Sequence, residues 1–143
     1  MNSDIQTLLP GYVLNDFQTD FWLRFCTAFP NLLVEATVDS FYLRFDVRSP
    51  EQTDSESGIA VLVSKWGDEE IIVAFGGHVN TRYFSYHPTA DVIIEDALEV
   101  VREIIAGELV GVVHRLGGGR MCYACELDKY ISEGDQIYSW NKG

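Results

Sequence analysis

The sequence predicts an α+β fold: a mainly antiparallel sheet of about five to six strands, with an N-terminal helix and a long amphipathic helix packed on one face. Three observations predict it. Apolar residues recur at helical spacing in two separated stretches, 15–29 and 91–105. Between them lie short runs that alternate with a period of two or are continuously apolar, as strands do. After them, Gly117-Gly118-Gly119 separates two further apolar runs, a hairpin signal because glycine accepts the positive φ of tight turns.

The elements follow in chain order. Leu9-Pro10-Gly11 is a turn signal. Asn15 or Asp16 then caps a helix through a short oxygen side chain. Phe17, Phe21, Phe25, Ala28 and Phe29 form its apolar stripe, with Asp16, Asp20, Arg24 and Thr27 opposite, and Pro30 stops it. Val34, Ala36 and Val38 alternate with polar residues, as do Phe41, Leu43, Phe45 and Val47. The two registers slip by one residue across Asp39-Ser40, which fits either a tight hairpin or a β-bulge. Residues 48–57 are polar and read as a loop. Ile59–Val63 and Ile71–Phe75 are continuously apolar, which predicts strands buried on both faces. Gly76-Gly77 breaks the pattern, and His78–Phe84 reads as a further strand. Pro88, at the first helical position, and Thr89 open the second helix. Ile93, Ile94, Ala97, Leu98, Val100, Val101, Ile104 and Ile105 share one broad face of it. Leu109–Leu116 and Arg120–Leu127 are the arms of the last hairpin. The apolar residues of the tail, 128–143, leave docking open.

The 143 residues suit one domain spanning 1–143, and 47% hydrophobic content is ample for its core. Lys+Arg number 10 against 22 Asp+Glu, for a net charge of −12. That balance disfavours nucleic acid and anionic membranes as partners and favours a basic protein. No run approaches the ~20 apolar residues of a membrane span. The N-terminus lacks the pattern of a signal peptide, and three cysteines are an odd count for a disulfide framework. A cytoplasmic location with reduced thiols is the resulting expectation.

The catalytic templates fit poorly. Cys122 and Cys125 form a single CxxC, without the second ligand pair of a zinc site; read as strand interior, they are two buried, inert thiols. His78, His87 and His114 form no HxxxH pattern. No GxSxG, GxGxxG or P-loop is present, and Gly117-Gly118-Gly119-Arg120 is a turn rather than a phosphate cradle. The expectation is a protein that is not an enzyme, with no metal and no cofactor. The alternative is a small-ligand or enzyme site around His78, Tyr83 and His87.

The unusual feature is the second helix's polar face, where Asp91/Glu95, Glu95/Glu99 and Glu99/Glu103 are like-charge pairs at i,i+4. Each such pair opposes the isolated helix by roughly 0.2–0.5 kcal/mol, with only Arg102 as local relief. A partner carrying Lys and Arg relieves that repulsion and meets the surface faster. The candidate partner-binding residues are therefore Asp91, Glu95, Asp96, Glu99 and Glu103. Trp66, Asp68, Glu69 and Glu70 form a second acidic cluster, and Tyr83 and Tyr86 add aromatics, which often supply interface energy.

In layout, the Gly76-Gly77-His78 strand start, the acidic helix Asp91–Ile105 and the strand Glu108-Leu109-Val110-Gly111-Val112-Val113 resemble the small acidic α+β immunity proteins encoded beside bacterial polymorphic toxins. The resemblance covers residues 30–127 and includes no catalytic motif. It implies a cytoplasmic, non-enzymatic bacterial protein that binds a basic toxin domain and blocks its active site; the sequence leaves monomer or homodimer open. Many such toxins are nucleases with basic clefts, where carboxylates compete with nucleic acid.

Overall fold

The computed structural model describes residues 5–51, 58–65, 69–75, 81–84 (backbone) and 89–140. A short helix α1 (Ile5–Leu8) precedes α2 (Asp16–Ala28). Strands β1 (Leu33–Val38), β2 (Tyr42–Arg48), β3 (Ile59–Ser64), β4 (Ile71–Phe75) and β5 (Thr81–Phe84) then form one antiparallel sheet in chain order. Helix α3 (Ala90–Ile105) leads to β6 (Leu109–Val113), β7 (Gly119–Tyr123), a 3-10 helix (Ala124–Lys129) and β8 (Gln136–Tyr138). The last three strands make a second antiparallel sheet, ordered β7-β6-β8.

Each helix is stopped and started by its own chemistry. Asn15 caps α2 by accepting from the Gln18 N–H at 2.8 Å, and the Gln18 side chain accepts in return from the Asn15 N–H at 3.0 Å. Thr89 caps α3 through Val92 N–H. The first helical residue is therefore Ala90, and Pro88 precedes the helix rather than occupying its first position. The buried stripe of α2 is Gln18, Phe21, Trp22, Phe25 and Cys26, continued by Phe29. Phe17 is only half-buried and Ala28 is exposed. Along α3, Ile93, Ile94, Ala97, Leu98, Val100, Val101 and Ile104 are buried.

Both helices cover the same face of the larger sheet. Leu43, Phe45 and Val47 of β2, Ile59, Val61 and Val63 of β3, and Ile71, Val73 and Phe75 of β4 point into one cluster with them. Fully burying each such side chain contributes about 1.5–3 kcal/mol. Helix α3 packs on β4 and on β6, so it joins the two sheets. Trp140 and Tyr138 dock on this core, so the tail is part of the fold.

Several expectations change. The strands form two sheets rather than one, because β6 pairs with β7 and β8 and not with the five-stranded sheet. Across Asp39-Ser40 the chain makes a tight hairpin, with Val38 opposite Leu43 and Asp39 N–H donating to the Tyr42 carbonyl at 3.0 Å. Strand β4 is buried throughout, but Ala60 and Leu62 of β3 are half-buried, so β3 alternates. The return arm of the last hairpin ends at Tyr123, where the backbone turns into the 3-10 helix. Cys125 thereby becomes exposed while Cys122 stays buried, which corrects the reading of two buried thiols. Gly117 and Gly118, at φ of 108° and 76°, supply the turn between β6 and β7.

Asp135 latches β8 to that turn. Its carboxylate accepts from Arg115 N–H at 3.0 Å and Ser132 N–H at 2.9 Å, and Nδ1 of His114 lies 2.8 Å away. The Arg115 amide first, then His114 and Ser132, hold its pKa down at about 2 from an ordinary 3.8. A carboxyl depressed in the folded state stabilises above its unfolded value and loses that contribution as pH falls through the folded one. Asp135→Ala is therefore expected to lower Tm by about 5 °C near neutral pH. In thermal scans from pH 7 to pH 2, the gap to wild type should close between pH 4 and pH 2.

Candidate interaction surface

Helices α2 and α3 lie against one another, and the surface between them carries the acidic feature. The α3 wheel places Asp91 and Glu95 on the side toward α2, with Glu99, Glu103 and Asp96 turning progressively away. Arg24 projects from the polar side of α2 into this seam. Its guanidinium donates to Asp20 at 3.3 Å, to Glu95 at 3.2 Å and to Asp91. Asp91, ahead of its other neighbours, raises the Arg24 pKa further above its usual range. Arg102 donates to Glu99 one turn below and lies 6.0 Å from the ring centre of Phe29.

These contacts correct the expectation that Arg102 alone relieves the helix. Asp91 and Glu95 share Arg24 across the seam, so the ridge is not an unrelieved row of carboxylates. The surface still keeps an excess: Asp20 of α2 and Asp91, Glu95, Glu99 and Glu103 of α3 are five carboxylates against the two guanidiniums of Arg24 and Arg102. The sequence shows Arg24 four residues after Asp20, but not which helix faces it. That pairing is set by packing and is not readable from α3 alone.

Between the helices runs an open groove of about 320 Å³. Leu23, Ala28 and Leu98 supply its apolar lining, and Arg24, Glu95 and Arg102 its charges. Leu23 is 56% exposed there, and Val92, on the ridge itself, is 37% exposed. Apolar area rimmed by charge is the composition of a protein-docking patch rather than of an enclosed ligand cavity.

The second acidic cluster is built differently. Glu70 is half-buried and closes the β3–β4 turn. Its carboxylate accepts from the Tyr42 hydroxyl at 2.5 Å, and its backbone exchanges bonds with Ser64. Glu69 is exposed. Ser64 is held by Gln18 in the first turn of α2, whereas the α3 carboxylates meet α2 at Arg24. Six residues of helix separate those levels, about 9 Å. Tyr83 lies in β5, its Cα opposite Ile72. Trp66, Asp68 and Tyr86 lie outside the described residues, as do His78 and His87, on which the alternative ligand site depends.

Neither buried thiol is set up as a nucleophile. Burial pushes the Cys26 thiol up to about 11 and raises that of Cys122. A raised pKa leaves little thiolate at neutral pH. Among the described residues, no three His, Cys, Asp or Glu side chains are grouped so as to hold a metal ion, and no helix is long and apolar enough to cross a membrane. Comparison with protein families, curated proteins and solved structures finds no match to the chain.

Proposed function

We propose that this chain is a non-enzymatic binding protein that captures a basic protein domain on the α2–α3 surface. The observation that carries the reading is the groove lined by exposed Leu23 and by Arg24, Glu95 and Arg102, beside the acidic polar face of α3. Such a patch offers apolar area for affinity and an excess of negative charge for steering. A bacterial toxin domain, neutralised by its cognate immunity protein, is the partner class that the layout resemblance implies. Glu99 is the exposed carboxylate that turns outward for it, with Asp91 and Glu95 tied partly to Arg24.

The test expresses the C-terminal domain encoded by the neighbouring upstream reading frame and titrates it against the purified chain, and a frame that encodes no small basic domain counts against the proposal. A stoichiometric complex whose affinity falls with salt is expected. Glu95→Lys with Glu99→Lys should weaken it by about 10–100-fold, mainly through a slower on-rate, and flatten its salt dependence. Asp20 and Asp91 still hold Arg24 in that variant, so Tm should stay near wild type. A complex of unchanged affinity and salt response, or no complex, overturns the proposal.

A further inference from the structure

Among the described residues, one edge of the larger sheet pairs with no further strand, and its chemistry selects an occupant. At the other edge, β5 lies beside β7 and α3, whereas β1 is paired with β2 alone among the described strands. Exposed edge strands are ordinarily blunted by lysine, proline, a bulge or an inward-pointing charge. β1, Leu-Val-Glu-Ala-Thr-Val, has none of these: its register with β2 runs unbroken from Leu33↔Arg48 to Val38↔Leu43, and its one charge, Glu35, is on the outer face.

The backbone groups that remain open can be identified. Asp39 N–H donates to the Tyr42 carbonyl, so Asp39 and Tyr42 form a narrow pair. Narrow and wide pairs alternate along an antiparallel ladder. Thr37, Glu35 and Leu33 therefore bond β2, and Val34, Ala36 and Val38 direct their N–H and C=O groups away from the sheet.

We propose that β1 pairs with β1 of a second copy of this chain, antiparallel across a two-fold axis at Ala36, joining the two five-stranded sheets. Narrow pairs then form between Ala36 and its counterpart and, twice, between Val34 and Val38, each exchanging two backbone hydrogen bonds. Charge selects this register. Within one chain Glu35 stands directly opposite Asp46, a like-charge pair that Arg44 relieves in part by donating to Asp46 at 3.0 Å. Pairing about Ala36 puts Glu35 opposite Thr37 of the second copy. Arg44 of that copy lies directly beyond, as the β2 neighbour of Thr37, so a carboxylate and a guanidinium flank one small hydroxyl side chain. Shifting the pairing by two residues one way sets Glu35 against Glu35, making a row of four carboxylates with the two Asp46 side chains. Shifting it the other way sets Glu35 against Asp39. The favoured register also brings Leu33 of each copy to the turn that carries exposed Phe41 of the other.

The test uses the purified chain alone and does not depend on the function proposed above. In sedimentation equilibrium, the mass should rise with concentration from 16.1 kDa toward twice that value. Thr37→Glu sets one carboxylate against Glu35 at each of the two symmetric positions and should raise the dissociation midpoint by about tenfold or more. Within its own chain position 37 faces Arg44, so the monomer should keep its Tm. Adding Glu35→Lys to Thr37→Glu makes both cross-copy pairs oppositely charged and should restore association. A wild-type mass fixed at 16.1 kDa at every concentration overturns the proposal, as does a Thr37→Glu midpoint equal to wild type or a double variant that stays dissociated. The first of those outcomes would leave the edge to an extended segment of another protein.

Discussion

Replacing Phe45 by alanine is expected to remove about 3–5 kcal/mol of stability, a large share of the 5–15 kcal/mol that holds a domain folded. The ring is 1% exposed in the middle of β2. It stacks on Trp22 of α2 at 4.9 Å between centroids and on Phe21 at 5.9 Å. Its cross-strand neighbours are Ala36 on β1 and Val61 on β3. Alanine leaves a cavity that rigid neighbours on three elements close only in part, so the loss exceeds transfer free energy alone. Urea unfolding followed by Trp fluorescence should show a lower midpoint at unchanged slope. Phe45→Leu, which keeps most of the volume, should cost about 1–1.5 kcal/mol. Equal costs for the two variants would mean that α2 does not pack on β2 through this ring.

That core was legible because it is periodic. The phenylalanines of α2 repeat at helical spacing, the residues of β2 alternate, and each period states which face is inside. The division into two sheets was not legible. β8 is three residues, Gln-Ile-Tyr, too short to show a period, and its partner β6 lies more than twenty residues back. The candidate site divides the same way. The one-signed face of α3 could be read from spacing, whereas Arg24, which ties two of its carboxylates to α2, belongs to a contact between helices 67 residues apart. Asp135 is one acid among many in the sequence and acquires its role only when three donors converge on it. Gln18 did leave a signal. Asn followed three residues later by Gln, just before an apolar run, is the spacing of a capping box. It went unread because glutamine inside an apolar stripe does not register as core.

Gln18 is the second position where a single change should be felt strongly. Gln18→Ala is expected to cost about 2–4 kcal/mol, the sum of the lost side-chain arm of the capping box and a buried carbonyl that loses its Nε2 donor. The side chain is 1% exposed. Its Nε2 donates to the Ser64 carbonyl at 3.2 Å and to the Tyr12 hydroxyl, while Oε1 accepts from Asn15 N–H. One amide thus ties the start of α2 to the end of β3, and it sets where α2, with Leu23 and Arg24, stands over the sheet. Gln18→Glu separates these functions. A carboxylate still accepts from Asn15 N–H, but it loses the donor to Ser64 and sets a negative charge against that carbonyl in a buried site. The folded state then favours the protonated acid, so its pKa rises above the unfolded value. Such a group is tolerated below the unfolded pKa and destabilises as pH rises. Gln18→Glu should therefore approach wild-type stability near pH 4 and fall away toward pH 7, whereas Gln18→Ala keeps its deficit at both. Denaturation at those two pH values measures the difference, and a Gln18→Glu variant as stable as wild type at both would place the cost in the capping box alone rather than in the link to β3.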